Sequence, residues 1–294
     1  MLHVETIAAL RSACDRARAE RGRVGLVPTM GYLHRGHRSL MEAARAATDF
    51  VVVTIFVNPL QFAPGEDLAR YPRDLEGDLA ECRTAQVDCV FSPPEAEMYP
   101  RPSKTTVHVS HLTEGMCGAA RPAHFDGVTT VVAKLFSIVG PCDAFFGRKD
   151  AQQLAVVARM TEDLNLPVRV VGCPLVREPD GLALSSRNAY LGTEERAAAP
   201  VLFRALRAAA DAVHAGEREA ACLAQLVRDM VATEPLVELE YADVRDAAEL
   251  TPVTVLGRDS DALLAVAARV GTTRLIDNVG ITIRDGCVRL DLGR

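Results

Sequence analysis

Short runs of β-branched and apolar residues alternate with segments of helical periodicity between residues 23 and 173. This alternation predicts an α/β fold, in which a parallel sheet is covered by helices on both faces. The predicted strands are 24–29, 50–57, 88–91, 143–146 and 168–171. The predicted helices are 36–48, 74–86, 128–139 and 151–164. In such sheets ligands bind at the carboxyl ends of the strands, so we expect the polar residues that follow each strand to form a site.

The character of the sequence changes after residue 188. Alanine-rich helices are predicted at 197–215 and 219–231, followed by short strands at 237–243, 262–270 and 273–276. A chain of 294 residues is most simply two domains, at roughly 150 residues per domain. We therefore expect an N-terminal parallel-sheet domain of residues 1–187 and a smaller α+β domain of residues 188–294.

Composition narrows the class of protein. A formal net charge of -6 argues against a protein whose main partner is nucleic acid, because such proteins normally carry a basic surface. The eight cysteines include no Cys-x-x-Cys pair and several lie in apolar stretches, which predicts reduced core thiols. The first residues predict an amphipathic helix instead of a signal peptide, and the longest apolar run is far shorter than the roughly 20 residues of a membrane helix. We expect a cytoplasmic protein with neither a nucleic-acid nor a membrane partner.

The loop between the first predicted strand and the next helix carries the strongest functional signal. Residues 28–37 read Pro-Thr-Met-Gly-Tyr-Leu-His-Arg-Gly-His. Backbone amides and the positive end of the helix dipole at such a helix start favour phosphate, and His34 and His37 add hydrogen-bond donors. Gly31 and Gly36 let a ligand approach the backbone closely. The spacing alone leaves two alternatives open, namely surface histidines and a zinc site that lacks a third nearby ligand.

Two further polar clusters follow predicted strands or packed segments. Lys149 and Asp150 come after the strand 143–146, and Gln152 and Gln153 follow directly. At this position a lysine is suited to bind phosphate, an aspartate is suited to bind a ribose hydroxyl, and a glutamine is suited to orient a small acid. Each of these residues also suits the solvated start of a helix. The segment 185–188, Ser-Ser-Arg-Asn, places two hydroxyls and a guanidinium together, which suits phosphate oxygens or, alternatively, an ordinary hydrogen-bonded turn.

Other nucleotide-binding signatures are missing from the sequence. It contains no Gly-x-x-x-x-Gly-Lys-Ser/Thr phosphate loop and no Gly-x-Gly-x-x-Gly after a strand. His108 and His111 repeat the His-x-x-His spacing without a glycine loop, so we interpret them as structural or surface residues.

Seven segments, in order along the chain, resemble the bacterial pantothenate synthetases, a family of pantoate and β-alanine ligases. The matching segments are residues 28–37, 56–62, 71–73, 124–128, 149–153, 184–188 and 273–278. The resemblance implies a Rossmann-like N-terminal domain of the His-x-Gly-His nucleotidyltransferase type, a C-terminal lid domain, a homodimer and a place in the coenzyme A pathway. It also implies two half-reactions, in which ATP and pantoate give pantoyl adenylate and pyrophosphate, and β-alanine then gives pantothenate and AMP.

The resemblance assigns roles to residues of this sequence, with Mg²⁺ bridging the phosphates of ATP. The residues implied to stabilise the leaving group are His34, His37, Lys149, Ser185, Ser186 and Arg187, with His37 also a proton donor. The residues implied to bind ATP are Met30, Gly31, His34, Gly36, His37, Gly147, Arg148, Lys149, Asp150, Val176, Leu184, Ser185, Ser186 and Arg187. Gln61 and Gln153 are implied to hold pantoate, Gln61 also lies near β-alanine, and Asp78 lies where the family approaches the metal.

Four positions depart from the family pattern. The family commonly has Glu at Arg148, an aromatic residue at Ala151, Gly at Ala123 and Met at Leu184. Arg148 is the largest change in charge, and Ala123 is expected to stiffen the approach to His124. The rival interpretations are another His-x-Gly-His nucleotidyltransferase acting on a small acid, and a nucleotide-binding regulator or metal-binding module without turnover.

Overall fold

The computed structural model describes residues 1–63 and 65–294. Its contacts divide the chain into two compact units, each described separately. The first unit comprises Met1–Arg148 and Val156–Cys173, and the second comprises Lys149–Ala155 and Pro174–Arg294. The functional division between residues 187 and 188 stays a prediction.

The first unit contains the predicted parallel sheet, with six strands in the order β1-β4-β3-β2-β5-β6. The strands are β1 (Leu2–Val4), β2 (Val24–Thr29), β3 (Phe50–Ile55), β4 (Cys89–Phe91), β5 (Cys142–Gly147) and β6 (Val168–Cys173). The chain order reverses between β2 and β5, which pair directly. This strand order and the parallel pairing confirm the Rossmann-like architecture. Ligands of doubly wound sheets bind at such a switch point, at the carboxyl ends of the strands.

Helices cover this sheet because its central strands are apolar on both faces and bury nearly every residue. The helices are α1 (Ile7–Glu20), α2 (Arg35–Ala47), α3 (Leu75–Thr84), α4 (Glu95–Met98), α5 (Met116–Ala120), α6 (His124–Val139) and α7 (Ala151–Asp163). Of these, α7 begins in the second unit and ends in the first. One buried cluster packs Leu40, Met41 and Ala44 of α2 against strand residues of the sheet.

The second unit contains a separate antiparallel sheet in the order β10-β9-β8-β7. Its elements are α8 (Thr193–Ala198), α9 (Val201–His214), α10 (Ala220–Val231), β7 (Val237–Asp246), β8 (Ser260–Val270), β9 (Thr273–Arg284) and β10 (Cys287–Asp291). The buried faces of α9 and α10 share one apolar cluster with this sheet, as expected for an α+β unit.

The structure corrects several predicted boundaries. The predicted helix 197–215 is two helices, because Pro200 lacks the N–H that would continue the hydrogen-bond ladder. The predicted strand 273–276 continues to Arg284, β3 ends at Ile55, and α6 begins at His124 instead of residue 128. Strands β1 and β10 were not predicted.

The predicted N-terminal helix is confirmed as α1, and six of the eight cysteines are buried and free. Cys222 and Cys287 are free but exposed, so the prediction of core thiols is wrong for these two. Within the described residues, no helix combines the length and apolar character needed to cross a membrane.

Candidate active site

The loop between β2 and α2 has a backbone that requires glycine. Gly31 has φ of 86° and the next residue, Tyr32, has φ of 51°, so the chain turns through the left-handed region. A Cβ on Gly31 would lie 2.8 Å from Oδ2 of Asp78 and 3.0 Å from Cγ2 of Ile55. The glycine therefore serves both the turn and the close approach of a carboxylate.

Asp78 of α3 holds this loop. Its Oδ2 accepts a hydrogen bond from the N–H of Tyr32 at 2.9 Å, and its Oδ1 accepts one from the N–H of Leu33 at 2.6 Å. The side chain is buried, and burial raises the pKa of Asp78 while the two backbone hydrogen bonds oppose that rise. Both oxygens accept backbone hydrogen bonds, so Asp78 orients the loop. Its expected approach to Mg²⁺ stays a prediction, because each carboxylate oxygen keeps a second lone pair.

His34 and His37 form a reciprocal cap at the start of α2. Nδ1 of His34 accepts from the N–H of Gly36 at 3.1 Å, and Nδ1 of His37 accepts from the N–H of His34 at 3.3 Å. A backbone N–H can only donate, so each neutral imidazole carries its proton on Nε2. With ring centroids 4.1 Å apart, the pair offers two Nε2–H donors at the positive end of a helix.

Gln61 is oriented by a chain of hydrogen bonds in the same unit. The hydroxyl of Tyr99 donates to Oδ1 of Asn58 at 2.8 Å, and Nδ2 of Asn58 donates to Oε1 of Gln61 at 3.3 Å. Nε2 of Gln61 then lies 2.9 Å from Sδ of Met30, on the β2–α2 loop. Burial raises the pKa of Tyr99 to about 12, so the phenol stays a donor at neutral pH. The amide of Gln61 thus presents its NH₂ group toward Met30.

The first turn of α6 supports the short 3₁₀ turn, Pro59–Gln61, that carries Gln61. A Cβ on Gly127 would lie only 2.3 Å from the carbonyl oxygen of Leu60. Arginine can only donate, so Nε2 of His124 accepts a hydrogen bond from Arg121 at 3.0 Å. The proton of the imidazole is therefore on Nδ1, which donates to the carbonyl of Gln61 at 2.8 Å. The segment 124–128 that resembles the family is therefore a platform for Gln61.

Ala123, one of the departures from the family pattern, precedes this turn in the left-handed conformation, with φ of 64° and ψ of -4°. An L-residue is disfavoured there and glycine is not, which explains the glycine common in the family. The left-handed conformation of Ala123 therefore costs this chain stability at the start of α6, directly before His124.

Lys149, Asp150 and the two glutamines begin the second unit. Lys149 and Asp150 lie in a 3₁₀ turn, Arg148–Asp150, with Nζ of Lys149 at 3.7 Å from Oδ2 of Asp150. Gln152 is buried, whereas Gln153 is half-buried and remains the candidate for an acid. In the first unit, Arg148 is exposed and a Cβ on Gly147 would meet no atom within 4 Å, so there is open space beside that glycine.

The serine and arginine cluster follows a tight hairpin of the second unit. The N–H of Leu184 donates to the carbonyl of Val176 at 3.0 Å. Oγ of Ser185 accepts from the N–H of Arg187 at 3.2 Å and caps the 3₁₀ turn Ser186–Tyr190. Val176 and Leu184, which the resemblance assigns to ATP, are thus neighbours across the hairpin. Leu184 directly precedes the two serines in the sequence.

The remaining histidine pair lies on the surface, as predicted. Nδ1 of His108 is 2.7 Å from Oδ1 of Asp126, and the side chains of His108 and His111 are 58% and 87% exposed. Over residues 1–63 and 65–294, no group of three or more His, Cys, Asp or Glu side chains is placed to hold a metal ion. A zinc site at His34 and His37 needs at least a third ligand, which these residues do not supply.

Sequence reasoning assigned no role to several residues that shape these sites. Tyr99 carries no local signal, because its contact with Asn58 spans 41 positions. Asn58 stands immediately before Pro59, a helix-start signature that predicts a cap but not the contact with Gln61. The contribution of Tyr99 and Asn58 to the site depends on contacts formed in the folded chain, which the residue types alone do not specify.

The doubly wound parallel sheet, with a histidine-capped helix start at its switch point, defines an α/β enzyme of the His-x-Gly-His type. The chain belongs to the pantoate-beta-alanine ligase family, whose sequence profile matches residues 2–280. It is 55% identical over 273 residues to the pantothenate synthetase of Heliobacterium modesticaldum, covering 92% of this chain and 96% of that protein.

Solved structures agree with this assignment. The pantothenate synthetase of Thermus thermophilus superposes with a TM-score of 0.88 at 49% identity, covering 95% of this chain and 98% of that one. The pantoate-beta-alanine ligase of Francisella tularensis, complexed with beta-gamma ATP and beta-alanine, superposes with a TM-score of 0.77 at 30% identity, covering 95% and 97%.

Proposed function

We propose that this chain condenses (R)-pantoate with β-alanine at the expense of ATP, giving pantothenate, AMP and pyrophosphate. The observation that carries the proposal is the pair of Nε2–H donors of His34 and His37 at the start of α2, in a chain of this family. Fixed donors of this kind stabilise charge that develops on phosphate oxygens.

In the first half-reaction a pantoate carboxylate oxygen attacks the α-phosphorus of ATP, and the bond to the bridging oxygen of pyrophosphate breaks. Negative charge grows on the leaving group, where His34, His37, Lys149, Ser185, Ser186 and Arg187 act as donors and cations. His37 donates a hydrogen bond there through Nε2–H, and as an imidazolium, with its Nδ1 contact to the N–H of His34 released, it also donates a proton to the leaving group.

Gln61 and Gln153 hold pantoate in this proposal, and Gln61 also lies near β-alanine. The NH₂ group of Gln61 is a donor of fixed orientation, which suits a carboxylate or hydroxyl oxygen. Asp150 binds the ribose, and the backbone around Val176 reads the adenine. Residues 188–294 act as the lid that excludes water from the adenylate.

In the second half-reaction the neutral amine of β-alanine attacks the acyl carbon of pantoyl adenylate. The amide bond forms, AMP leaves with the oxygen that pantoate contributed, and the amine loses one proton to solvent. Adenylation has already made that oxygen a good leaving group, so the protein needs only to orient the reactants and exclude water. No covalent enzyme intermediate is required.

Magnesium enters this proposal as Mg²⁺-ATP, held through the phosphates and not by a protein cage. We further propose that the enzyme is a cytoplasmic homodimer. Omission of Mg²⁺ from the assay tests the need for the metal. Light scattering of the purified protein tests the dimer.

The test is to incubate the protein with Mg²⁺-ATP and pantoate and follow pyrophosphate, before and after β-alanine is added. We expect pantoate-dependent release of pyrophosphate in the first stage and pantothenate in the second. Pyrophosphate release that does not need pantoate, or no pantothenate after β-alanine, would contradict the proposal. Turnover with another small acid in place of pantoate would favour the rival nucleotidyltransferase.

A further inference from the structure

The segment 273–278 resembles the family but has no role in the chemistry described above. It lies at the start of β9, an interior strand of the antiparallel sheet, where it pairs with β8, whereas β10 pairs with the later residues 280–284. Three of its residues, Thr273, Asp277 and Asn278, are buried polar side chains, and the last two are adjacent. Burying such groups is costly unless they are hydrogen-bonded, so their partners indicate what they do.

Asp277 forms a buried ion pair with Arg177. Nη1 and Nη2 of Arg177 lie 2.7 Å and 3.0 Å from the two carboxylate oxygens of Asp277. The same guanidinium donates to the carbonyls of Leu292 and Gly181, and it stacks on the ring of Phe203, 3.9 Å from the centroid. The pair is therefore fixed from several directions, which makes it a rigid base for the residues beside it.

Asn278 is the next residue on the strand and is tied to this base. Its N–H donates to Oδ1 of Asp277 at 2.7 Å, and Nη2 of Arg177 donates to its carbonyl at 3.3 Å. Its side-chain Nδ2 donates to the backbone carbonyl of Lys149 at 2.9 Å, within the same unit. An interior strand thus holds the backbone of Lys149, 129 positions away in the sequence.

We infer that Asn278 is a positioning residue, which places the ammonium group of Lys149 by holding its backbone, with Arg177 and Asp277 keeping Asn278 in register. The inference rests on the proposed function for the role of Lys149 at the phosphates. The sheet does not need this amide for its ladder, since the backbone of Asn278 pairs with Ala265 of β8. A buried amide on an apolar strand is instead explained by the loop that it anchors.

The experiment is a double-mutant cycle on single-turnover pyrophosphate release with saturating Mg²⁺-ATP and pantoate. The variants are Asn278→Ala, Lys149→Ala and both together, with ATP affinity measured by calorimetry in parallel. Lys149→Ala removes the ammonium group but leaves the backbone carbonyl that Asn278 binds. We expect Asn278→Ala to slow release by about 10- to 100-fold in the wild type, and by less than about 2-fold in the Lys149→Ala background.

Two further variants separate positioning from stability. Asn278→Asp keeps the size of the side chain and removes the donor, so it should slow release as Asn278→Ala does. Val279→Ala removes buried volume from the next position of the same strand, and we expect it to lower the melting temperature with release within about 2-fold of wild type. Equal rate factors in both backgrounds, a wild-type rate in Asn278→Ala, or an equal rate loss in Val279→Ala would overturn the inference.

The proposed function fails separately, if the wild-type protein releases no pyrophosphate with pantoate. In that case the same cycle is scored on ATP affinity. A weakening by Asn278→Ala that disappears in the Lys149→Ala background supports the inference, and equal weakening in both backgrounds contradicts it.

Discussion

Gly127→Ala tests whether α6 places Gln61 for catalysis. The added Cβ would lie 2.3 Å from the Leu60 carbonyl oxygen, 2.4 Å from its carbon and 2.6 Å from Cα of Gln61. Ordinary contact needs about 3.5 Å, so the turn that carries Gln61 must move by roughly 1.2 Å from its position at 2.3 Å. The contacting atoms are backbone and have no flexible side chain to swing aside.

The energetic effects on folding partly cancel. Overpacking costs about 1–3 kcal/mol, whereas replacing a helical glycine by alanine gains up to about 1 kcal/mol. We therefore expect the free energy of unfolding to fall by about 0–3 kcal/mol. A displacement of about 1 Å at a substrate-holding group, by contrast, slows a reaction by on the order of 100-fold.

The assay measures single-turnover pyrophosphate release as a function of pantoate, alongside thermal unfolding. Ser137→Ala is the matched control, because it adds helix propensity on the exposed side of the same helix. We expect Gly127→Ala to lose about 100-fold in rate and to show a raised KM for pantoate, with Ser137→Ala unchanged. A folded Gly127→Ala protein with the wild-type rate and KM would refute the platform role of α6.

Four further predictions concern other contacts. His37→Ala should slow adenylation, measured in a single turnover, by about 100- to 1,000-fold, while the ATP affinity measured by calorimetry changes far less. An unchanged adenylation rate would show that the donor role is wrong. Asp78→Asn should slow adenylation by about 10-fold with stability within about 1 kcal/mol of wild type, because it removes a costly buried charge and one acceptor together; a wild-type rate would contradict its role in orienting the loop. Ala123→Gly should raise the free energy of unfolding by about 0.5–1 kcal/mol, measured in urea, because φ there is 64°. For Glu66, burial raises the pKa, but the hydrogen bonds from Arg121 outweigh it and hold the pKa below its ordinary value of 4.5. The stabilisation is therefore present at pH 7 and is lost as the pH falls below that ordinary value and through the lowered pKa, so the melting temperatures of wild type and Glu66→Gln should converge on acidification.

The sequence predicts those parts of the fold whose causes are local. Strand 24–29 and the helix after it follow from an apolar run and a helix-start signature, and both lie within one residue of the predicted bounds. The role of the loop between them in binding phosphate stays a prediction, because the spacing of His34 and His37 alone also suits surface histidines.

The parts that could not be predicted depend on distant contacts. The predicted strand ends at residue 276, just before Asp277 and Asn278, whereas β9 runs to Arg284. The strand continues because Arg177, a hundred positions earlier, neutralises Asp277 in the interior. Similarly, the capping bonds that fix the tautomers of His34 and His37 follow from backbone geometry, which residue types alone do not specify.

The passage of one oxygen atom tests the central claim most directly. Pantoate labelled with oxygen-18 in its carboxylate is incubated with the enzyme, Mg²⁺-ATP and β-alanine, and the AMP is analysed by mass spectrometry. Attack of the carboxylate on the α-phosphorus predicts one labelled oxygen in each AMP formed and one retained in pantothenate. Unlabelled AMP, with pantothenate still produced, would contradict an acyl-adenylate route and with it the proposed roles of His34, His37 and Lys149.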